Sequence, residues 1–148
     1  MSRKMAYVTD PAGIEEIDQV IHGCFFDPEQ INFDGASSTL NLHFTRETFE
    51  QSKLLKDRWL VREWQVPIRQ CVLRIHKVVD YRIEDHERIG RYDLLGLKFD
   101  SERGLMVIKT GIPIRIEVTV QAFEVEVEET DRIVEQKIIN SVFDVRKI

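Results

Sequence analysis

The chain is poor in the residues and motifs that usually mark an enzyme or a metal site. Its 148 residues include only two cysteines, Cys24 and Cys71. No phosphate-binding glycine loop, G-x-S-x-G elbow, H-E-x-x-H or paired C-x-x-C motif occurs. Two thiols in a domain of this size are typical of a reducing cytoplasm, with a single disulfide as the alternative. We therefore predict no catalytic residue set, no bound metal and no cofactor.

Long apolar runs and an excess of positive charge are also absent. No run approaches the roughly 20 residues that span a bilayer, and no apolar signal segment follows Arg3 and Lys4. The formal net charge is −5, whereas a nonspecific nucleic-acid binder needs excess positive charge to displace counterions from phosphates. The sequence thus predicts a cytoplasmic protein that binds neither membrane nor nucleic acid.

What the chain does contain is the composition of one globular domain. Apolar residues make up 43% and charged residues 32%, which is normal for a folded protein. A chain of this length can bury a full core without disulfides or metal ions. No internal repeat, low-complexity stretch or linker interrupts it, so residues 1–148 are expected to form a single domain.

The first third of the sequence predicts a helix followed by a β-hairpin. Asp10 and Pro11 are typical of a helix start, and apolar residues then recur at helical spacing. This pattern predicts a helix over roughly residues 11–22. Over residues 31–44, apolar and polar residues alternate on both sides of a turn rich in Asp, Gly and Ser, which predicts the hairpin.

The rest of the chain predicts further antiparallel strands and a closing helix. Alternation recurs over residues 71–83, 95–99, 105–109 and 114–127. Its phase changes near Lys77 and near Phe123, and both changes predict bulges. Thr130 or Asp131 is expected to cap a C-terminal helix. The predicted fold class is α+β, a mostly antiparallel sheet of about six strands with an N-terminal and a C-terminal helix.

Residues 46–66 show no single period, and either a helix or an irregular strand fits them. The segment is locally basic and holds both tryptophans of the chain, Trp59 and Trp64, beside Arg58 and Arg62. Tryptophan and arginine are over-represented in interaction hot spots. These four residues are therefore predicted to bind a partner, the alternative being that the tryptophans cover one end of the core.

The segment VIHGCFFDPEQINFD, at residues 20–34, raises the question of a metal site. Its His22, Cys24 and Asp27, joined by His43 across the hairpin, are all residue types that bind transition metals. The favoured interpretation is structural. Cys24 continues the apolar stripe of the helix, and His22 is placed to contact carbonyls at the helix C-terminus. Both histidines are retained as predicted binding residues.

Two other polar groups have a catalytic or a cation-binding interpretation. His76 and Asp80 are predicted to share a strand face, and histidine with carboxylate can perform general acid–base catalysis. Glu124, Glu126 and Glu128 alternate with apolar residues, which favours a solvated strand face over a cation site. Basic residues on neighbouring strands are expected to pair with them.

The residues Ile21-His22-Gly23 and Cys24-Phe25-Phe26-Asp27, with INFD at 31–34 and TLNL at 39–42, resemble the opening of several small uncharacterised bacterial families. Some of these families are similar to immunity proteins of polymorphic toxin systems. The family pattern places Asp where this chain has Gly23. The resemblance implies a bacterial, cytosolic, non-enzymatic α+β protein and identifies no catalytic residue.

Taken together, the sequence predicts a non-enzymatic protein-interaction domain, immunity-like or adaptor-like, whose partner is another protein or a second copy of the chain. An acidic surface can steer association with basic partners. One alternative is a small-molecule-binding or hydrolytic domain with a histidine-containing pocket, which a pocket holding two histidines would favour. Another alternative is a metal-binding protein.

Overall fold

The computed structural model of the chain describes residues 2–58 and 61–142. Over these residues the chain forms eleven β-strands and one short α-helix. The predicted α+β class, with about six strands and two helices, is therefore wrong. The fold is mostly antiparallel β-sheet.

The helix is α1 (Ile14–Ile21), preceded by a 3₁₀ turn at Pro11–Gly13. Two further 3₁₀ turns span Pro28–Gln30 and Phe49–Gln51. The strands are β1 (Arg3–Val8), β2 (Phe25–Phe26), β3 (Ile31–Asp34), β4 (Thr39–Glu47), β5 (Lys53–Arg58), β6 (Val61–Ile75), β7 (Val78–Glu84), β8 (Tyr92–Asp100), β9 (Leu105–Thr110), β10 (Arg115–Val120) and β11 (Val125–Val142).

The strands follow one hydrogen-bonded path in the order β1-β11-β6-β4-β2-β8-β9-β10-β7, with β3 beside β4 and β5 beside β6. The short strand β2 links the two halves of this path, because Phe25 pairs with Thr45 of β4 and with Asp93 of β8. The chain also passes between the halves at residues 76–77 and 121–124. These connections let the sheet fold over on itself.

A single apolar core lies between the two halves of the sheet. Leu42 and Leu73 contribute to it from one half, and Ile108 and Ile116 contribute from the other. Helix α1 adds the fully buried Ile17. Each such side chain gains about 1.5–3 kcal/mol from burial relative to exposure, so this shared core is what holds the halves together.

The predicted N-terminal helix is confirmed, with an N-terminal boundary that differs by a few residues. The Asp10 carboxylate accepts a hydrogen bond from the Ala12 N–H at 2.9 Å and so caps the turn that leads into α1. After Ile21 the chain reverses at Gly23, whose φ of +81° favours glycine. This reversal directs the chain from α1 into β2.

The predicted hairpin is also confirmed. Ile31 pairs with Leu42 and Phe33 pairs with Leu40. The Asp34 carboxylate accepts from the Ala36 N–H at 3.0 Å and closes the turn. Here the local signals in the sequence and the tertiary structure agree.

The predicted C-terminal helix is wrong, because the chain continues as strand β11 through Val142. From Glu135 to Val142 every residue of β11 pairs with β6. The β-branched residues Ile133 and Val134 fit a strand better than a helix. Pairing with a partner strand distant in the sequence therefore overrides the helix signal at Thr130 and Asp131.

Three other predictions about elements are corrected or decided. Residues 46–66 contain a 3₁₀ turn, β5 and the start of β6, so the strand alternative holds. The phase changes near Lys77 and Phe123 are corners between sheet halves rather than bulges within one strand. Strand β1, which the sequence did not predict, pairs with the first part of β11.

One part of the sheet extends beyond the core, and we call it the arm. It consists of β5, residues 61–67 of β6 and residues 133–142 of β11. Strand β4 flanks β6 only from Ile68 onward, and β1 flanks β11 only up to Glu129. All side chains of β5 are exposed, and so are those of residues 131–138. The remainder of the described chain is called the body.

Candidate functional site

Two of the predicted binding residues lie in the arm on one face. Trp64 pairs with Leu54 of β5 and with Ile139 of β11, and directly paired residues of antiparallel strands share a face. Arg62 lies on the same face and donates from Nε to the Asp57 carboxylate at 3.3 Å. The structure thus brings an indole, a guanidinium and two aliphatic side chains together on one face of the arm.

Arg58 and Trp59 are the other two residues of this segment that were predicted to bind a partner. Arg58 ends β5 opposite Val61 and is exposed. Trp59 lies outside the described residues. Large apolar side chains are nevertheless exposed along the arm: Leu54, Leu55, Val61, Ile133, Val134 and Ile138. The arm is therefore the largest concentration of exposed aliphatic side chains in the described chain.

His22 does not contact the carbonyls of its own helix through its ring, as the sequence had suggested. It lies in the turn after α1, and its Nδ1 is 3.0 Å from the carbonyl oxygen of Leu95 in β8. The backbone N–H of Gly23 also donates to β8, at Leu94 O, at 2.8 Å. His22 and the turn therefore tie the end of α1 to the sheet.

A cavity of about 280 Å³ lies beside this turn and is lined by Cys24, Arg46, Phe49 and Arg91, among others. Cys24 is buried, as predicted, and burial raises the pKa of its thiol to about 11. Burial also raises the pKa of the neighbouring Cys71 thiol to about 12. Both cysteines are free and stay protonated at neutral pH, so neither has the reactivity of a nucleophilic thiolate.

The same end of the core holds a buried ion pair that sequence reasoning missed. The guanidinium of Arg46 donates to Glu129 at 3.0 Å, and Glu129 is only 5% exposed. Gln51 also donates to Glu129, at 3.3 Å. A signal was present, since Arg46 and Glu129 each continue the inward phase of an alternating strand, after Phe44 and Val127.

A second candidate site is a groove of about 380 Å³ on the outer face of β4 and β6. His43, Arg74 and His76 line it together with Asn41 and Thr39. The buried Nδ1 of His43 finds no hydrogen-bond partner among the described residues. Burial, followed by the nearby charge of Arg74, lowers the pKa of His43. The ring is therefore neutral at pH 7 and has a hydrogen-bonding atom to offer.

His76 lies between a hydroxyl and a carboxylate. Its Nδ1 is 3.1 Å from Thr39 Oγ1, and its Nε2 is 2.9 Å from Glu126 Oε1. This order resembles the hydroxyl–imidazole–carboxylate arrangement of acyl-transfer enzymes. Thr39 is only 4% exposed, however, and its hydroxyl also lies 3.3 Å from Ser37 O as a donor. A substrate has little access to Thr39. The arrangement therefore favours a structural role, in which His76 connects Thr39 to Glu126, over catalysis.

Glu126 corrects the prediction of a fully solvated glutamate face. It is 8% exposed, and Lys4 Nζ lies 3.0 Å from its carboxylate. Burial alone raises the pKa of Glu126, but the hydrogen bonds from Lys4 and His76 outweigh burial and lower the pKa below its ordinary value. The expected pairing across strands is confirmed at Glu128, which accepts from Arg74 at 2.7 Å.

The structure separates several residues that the sequence had grouped. His22 lines the cavity beside α1, whereas His43 lines the outer groove. Asp80 is exposed on β7 opposite Thr119, while the Nε2 of His76 is bonded to Glu126. The pairing of β4 with β6 thus places His43 in one groove with His76 and not with His22.

Among residues 2–58 and 61–142, no group of three or more His, Cys, Asp and Glu side chains could hold a metal ion. None of the helices formed by these residues has the length and apolar character needed to cross a bilayer.

Comparisons with protein-family models, with curated proteins and with solved structures found no match to this chain. The two candidate sites of the described chain are the arm and the outer groove.

Proposed function

We propose that the protein is a non-enzymatic protein-interaction module whose contact surface is the arm. The observation that carries this proposal is the set of exposed aliphatic side chains on both faces of the arm. Leu54, 40% exposed, lies on the face of Trp64, and Ile138, 48% exposed, lies on the opposite face. Contiguous exposed apolar surface on a folded protein marks an interaction site. A three-stranded sheet without a second layer gains little stability from burial, so a bound partner supplies the missing layer or strand.

The charges on the arm are consistent with this role. β5 carries Lys53, Lys56 and Arg58 against Asp57, while the whole chain has a net charge of −5. Aromatic and arginine side chains such as Trp64 and Arg62 are common in the energetically dominant part of interfaces. An immunity-like inhibitor is one form that such a module takes, in line with the resemblance at residues 20–44. Its two buried free thiols suit a cytoplasmic setting.

The test compares two variants that remove similar apolar area. The arm variant is Leu54→Ser with Trp64→Ser, and the body control is Val79→Ser with Ile112→Ser, two exposed positions outside the arm. Tagged wild type and both variants are used for affinity capture from a lysate of the source cell, and the mass of each in solution is measured.

We expect either a stoichiometric heterologous protein that is lost with the arm variant and kept with the body control, or a second copy of the chain, which the mass in solution reveals. Circular dichroism confirms that each variant remains folded. A wild type that is monomeric and captures nothing refutes the proposal, and so does an arm variant that keeps a captured heterologous protein.

A second candidate function is binding of a small polar molecule in the outer groove. It is supported by two histidines in one groove and by the unpartnered Nδ1 of the neutral His43. The test is nuclear magnetic resonance of the His43 and His76 rings during titration with a panel of nucleotides and small organic acids. Saturable shifts in wild type that disappear in His43→Phe support binding. Unchanged ring signals throughout the panel count against it.

A further inference from the structure

We propose that the partner of the arm is a second copy of this chain, bound edge to edge along β11 around a two-fold axis at Gln136. This inference rests on the proposed function, because it names the occupant of the arm.

The first observation is the edge itself. In residues 2–58 and 61–142, the last residue of β11 that pairs with β1 is Glu129. Among the described residues, the only strand that pairs with β11 from Glu135 to Val142 is β6, on one side. The outward backbone N–H and C=O groups of an edge strand can template another strand. Addition of a strand at such an edge is a common mode of protein recognition.

The second observation is that this edge is complementary to itself. When two copies of β11 run antiparallel and Gln136 faces Gln136 of the second copy, Glu135 lies opposite Lys137 and Val134 lies opposite Ile138. Lys137, whose Nζ is 2.8 Å from Glu47 Oε1 of its own chain, then lies between two carboxylates. The two-fold symmetry makes each of these pairings occur twice. Opposite charges and aliphatic side chains placed directly across antiparallel strands are both favourable. The register therefore contains no like-charge pair from Val134 to Ile138.

The faces of the strand add a third argument. Alternation places Gln136 and Ile138 on one face of β11, and Glu135 and Lys137 on the other, while Val134 lies where the register against β6 shifts between Ile133 and Glu135. Val134 is 42% exposed and Ile138 is 48% exposed in the single chain. In the paired arrangement Val134 of each copy lies next to Ile138 of the other copy along the contact. The contact thus covers apolar surface that the monomer leaves in water.

The opposite edge of the arm does not offer the same arrangement. Strand β5 carries three cations, Lys53, Lys56 and Arg58, and one anion, Asp57. Two antiparallel copies of β5 therefore repel each other, because each contributes a net positive charge and like charges across a strand pair are destabilising. The charges thus select the β11 edge for self-association.

The test uses charge reversal at the two positions that face each other. Wild type, Glu135→Lys, Lys137→Glu and the double variant are each examined by sedimentation equilibrium over a range of concentrations. We expect wild type to have the mass of two chains. Each single variant sets like charges opposite each other twice and should have the mass of one chain. The double variant restores opposite charges and should regain the mass of two chains.

Mixing the two single variants gives a further readout that misfolding cannot imitate. Copies carrying Glu135→Lys have two cations at the contact, and copies carrying Lys137→Glu have two anions. We expect the mixture to form a heterodimer although neither variant associates alone. Lys56→Glu, a charge reversal on the β5 edge of the same arm, is the matched control and should retain the wild-type mass.

A monomeric wild type overturns the dimer, and so does a wild-type dimer whose mass is unaffected by both single reversals. These results are distinct from a failure of the proposed function. If Leu54→Ser with Trp64→Ser loses a heterologous protein while the charge variants keep it, the arm is an interaction surface for another partner and the β11 dimer is wrong.

Discussion

Strands β6 and β11 run through two different environments, the body and the arm. In the body, Leu73 pairs with Val127 and both side chains are buried in the core. In the arm, Trp64 pairs with Ile139 in the same ladder, but only β5 lies beside them. The backbone hydrogen bonds are continuous, and what changes is the layer behind the sheet. Hydrogen bonding extends a sheet, whereas burial of a face supplies most of its stability.

The largest contrast is expected from one leucine in each region. Leu73→Ala leaves a cavity in a fully buried site and should lower the free energy of unfolding by about 2–5 kcal/mol. Leu54→Ala removes the same atoms from an exposed strand of the arm and should change it by less than about 0.5 kcal/mol. Urea unfolding of both variants measures the difference. Equal losses in the two variants would show that the arm has a core of its own.

The next contrast concerns the buried ion pair of the body. Arg46→Met leaves the Glu129 carboxylate buried without its main cation and should lower the free energy of unfolding by about 3 kcal/mol. Adding Glu129→Met removes the unpaired charge and should recover most of that loss. Urea unfolding of the single and double variants provides the comparison. A double variant no more stable than the single one would contradict a buried, coupled pair.

Acid should lower the stability of the protein mainly through groups in the body. Because the pKa of Glu126 is lowered in the folded state, its contribution is present above the ordinary value of 4.5 and is lost as pH falls through the lower folded pKa. Glu126→Gln should be less stable than wild type at neutral pH and lose less stability on acidification. Thermal unfolding between neutral and acidic pH tests this. Parallel pH profiles for the two proteins would contradict the assignment.

The smallest effect is expected from the ion pair of the arm. The Asp57 carboxylate and Arg62 lie on a solvent-exposed sheet, with side-chain exposures of 58% and 43%. Exposed pairs contribute about 0–1 kcal/mol, so Asp57→Asn should barely change urea unfolding. If Asp57→Asn lowered the free energy of unfolding as much as Arg46→Met does, the ion pairs of arm and body would not differ as proposed.

The sequence predicted the elements whose signals are local. The Asp10 cap, the helix α1 and the hairpin of β3 and β4 each depend on residues close together in the chain. Apolar alternation likewise predicted the inward positions of Leu42 and Leu73. The sequence did not predict β1, and it predicted a helix at Thr130, because residues that pair across the sheet lie far apart in the chain.

In the candidate sites, too, the sequence predicted what depends on local pattern and did not predict contacts between distant residues. Trp64, Arg62 and His43 were predicted as binding residues from residue type and local pattern, and the structure locates them on the arm and in the outer groove. The partners of His76 could not be inferred, since Glu126 lies 50 residues away along the chain. His22 and His43 were grouped because they are near in sequence, and the hairpin separates them.

By itself, the sequence determined the local backbone preferences, the inward phase of each strand and the pattern of charges at residues 134–138. Only the tertiary structure decided that β11 is a strand to Val142, that Arg46 meets Glu129 across 83 residues, and that the arm extends beyond the core. The physical reason is that caps, turns and alternation depend on neighbouring residues. Strand pairing and burial depend on which distant segments come into contact, and these contacts are settled only when the whole chain folds.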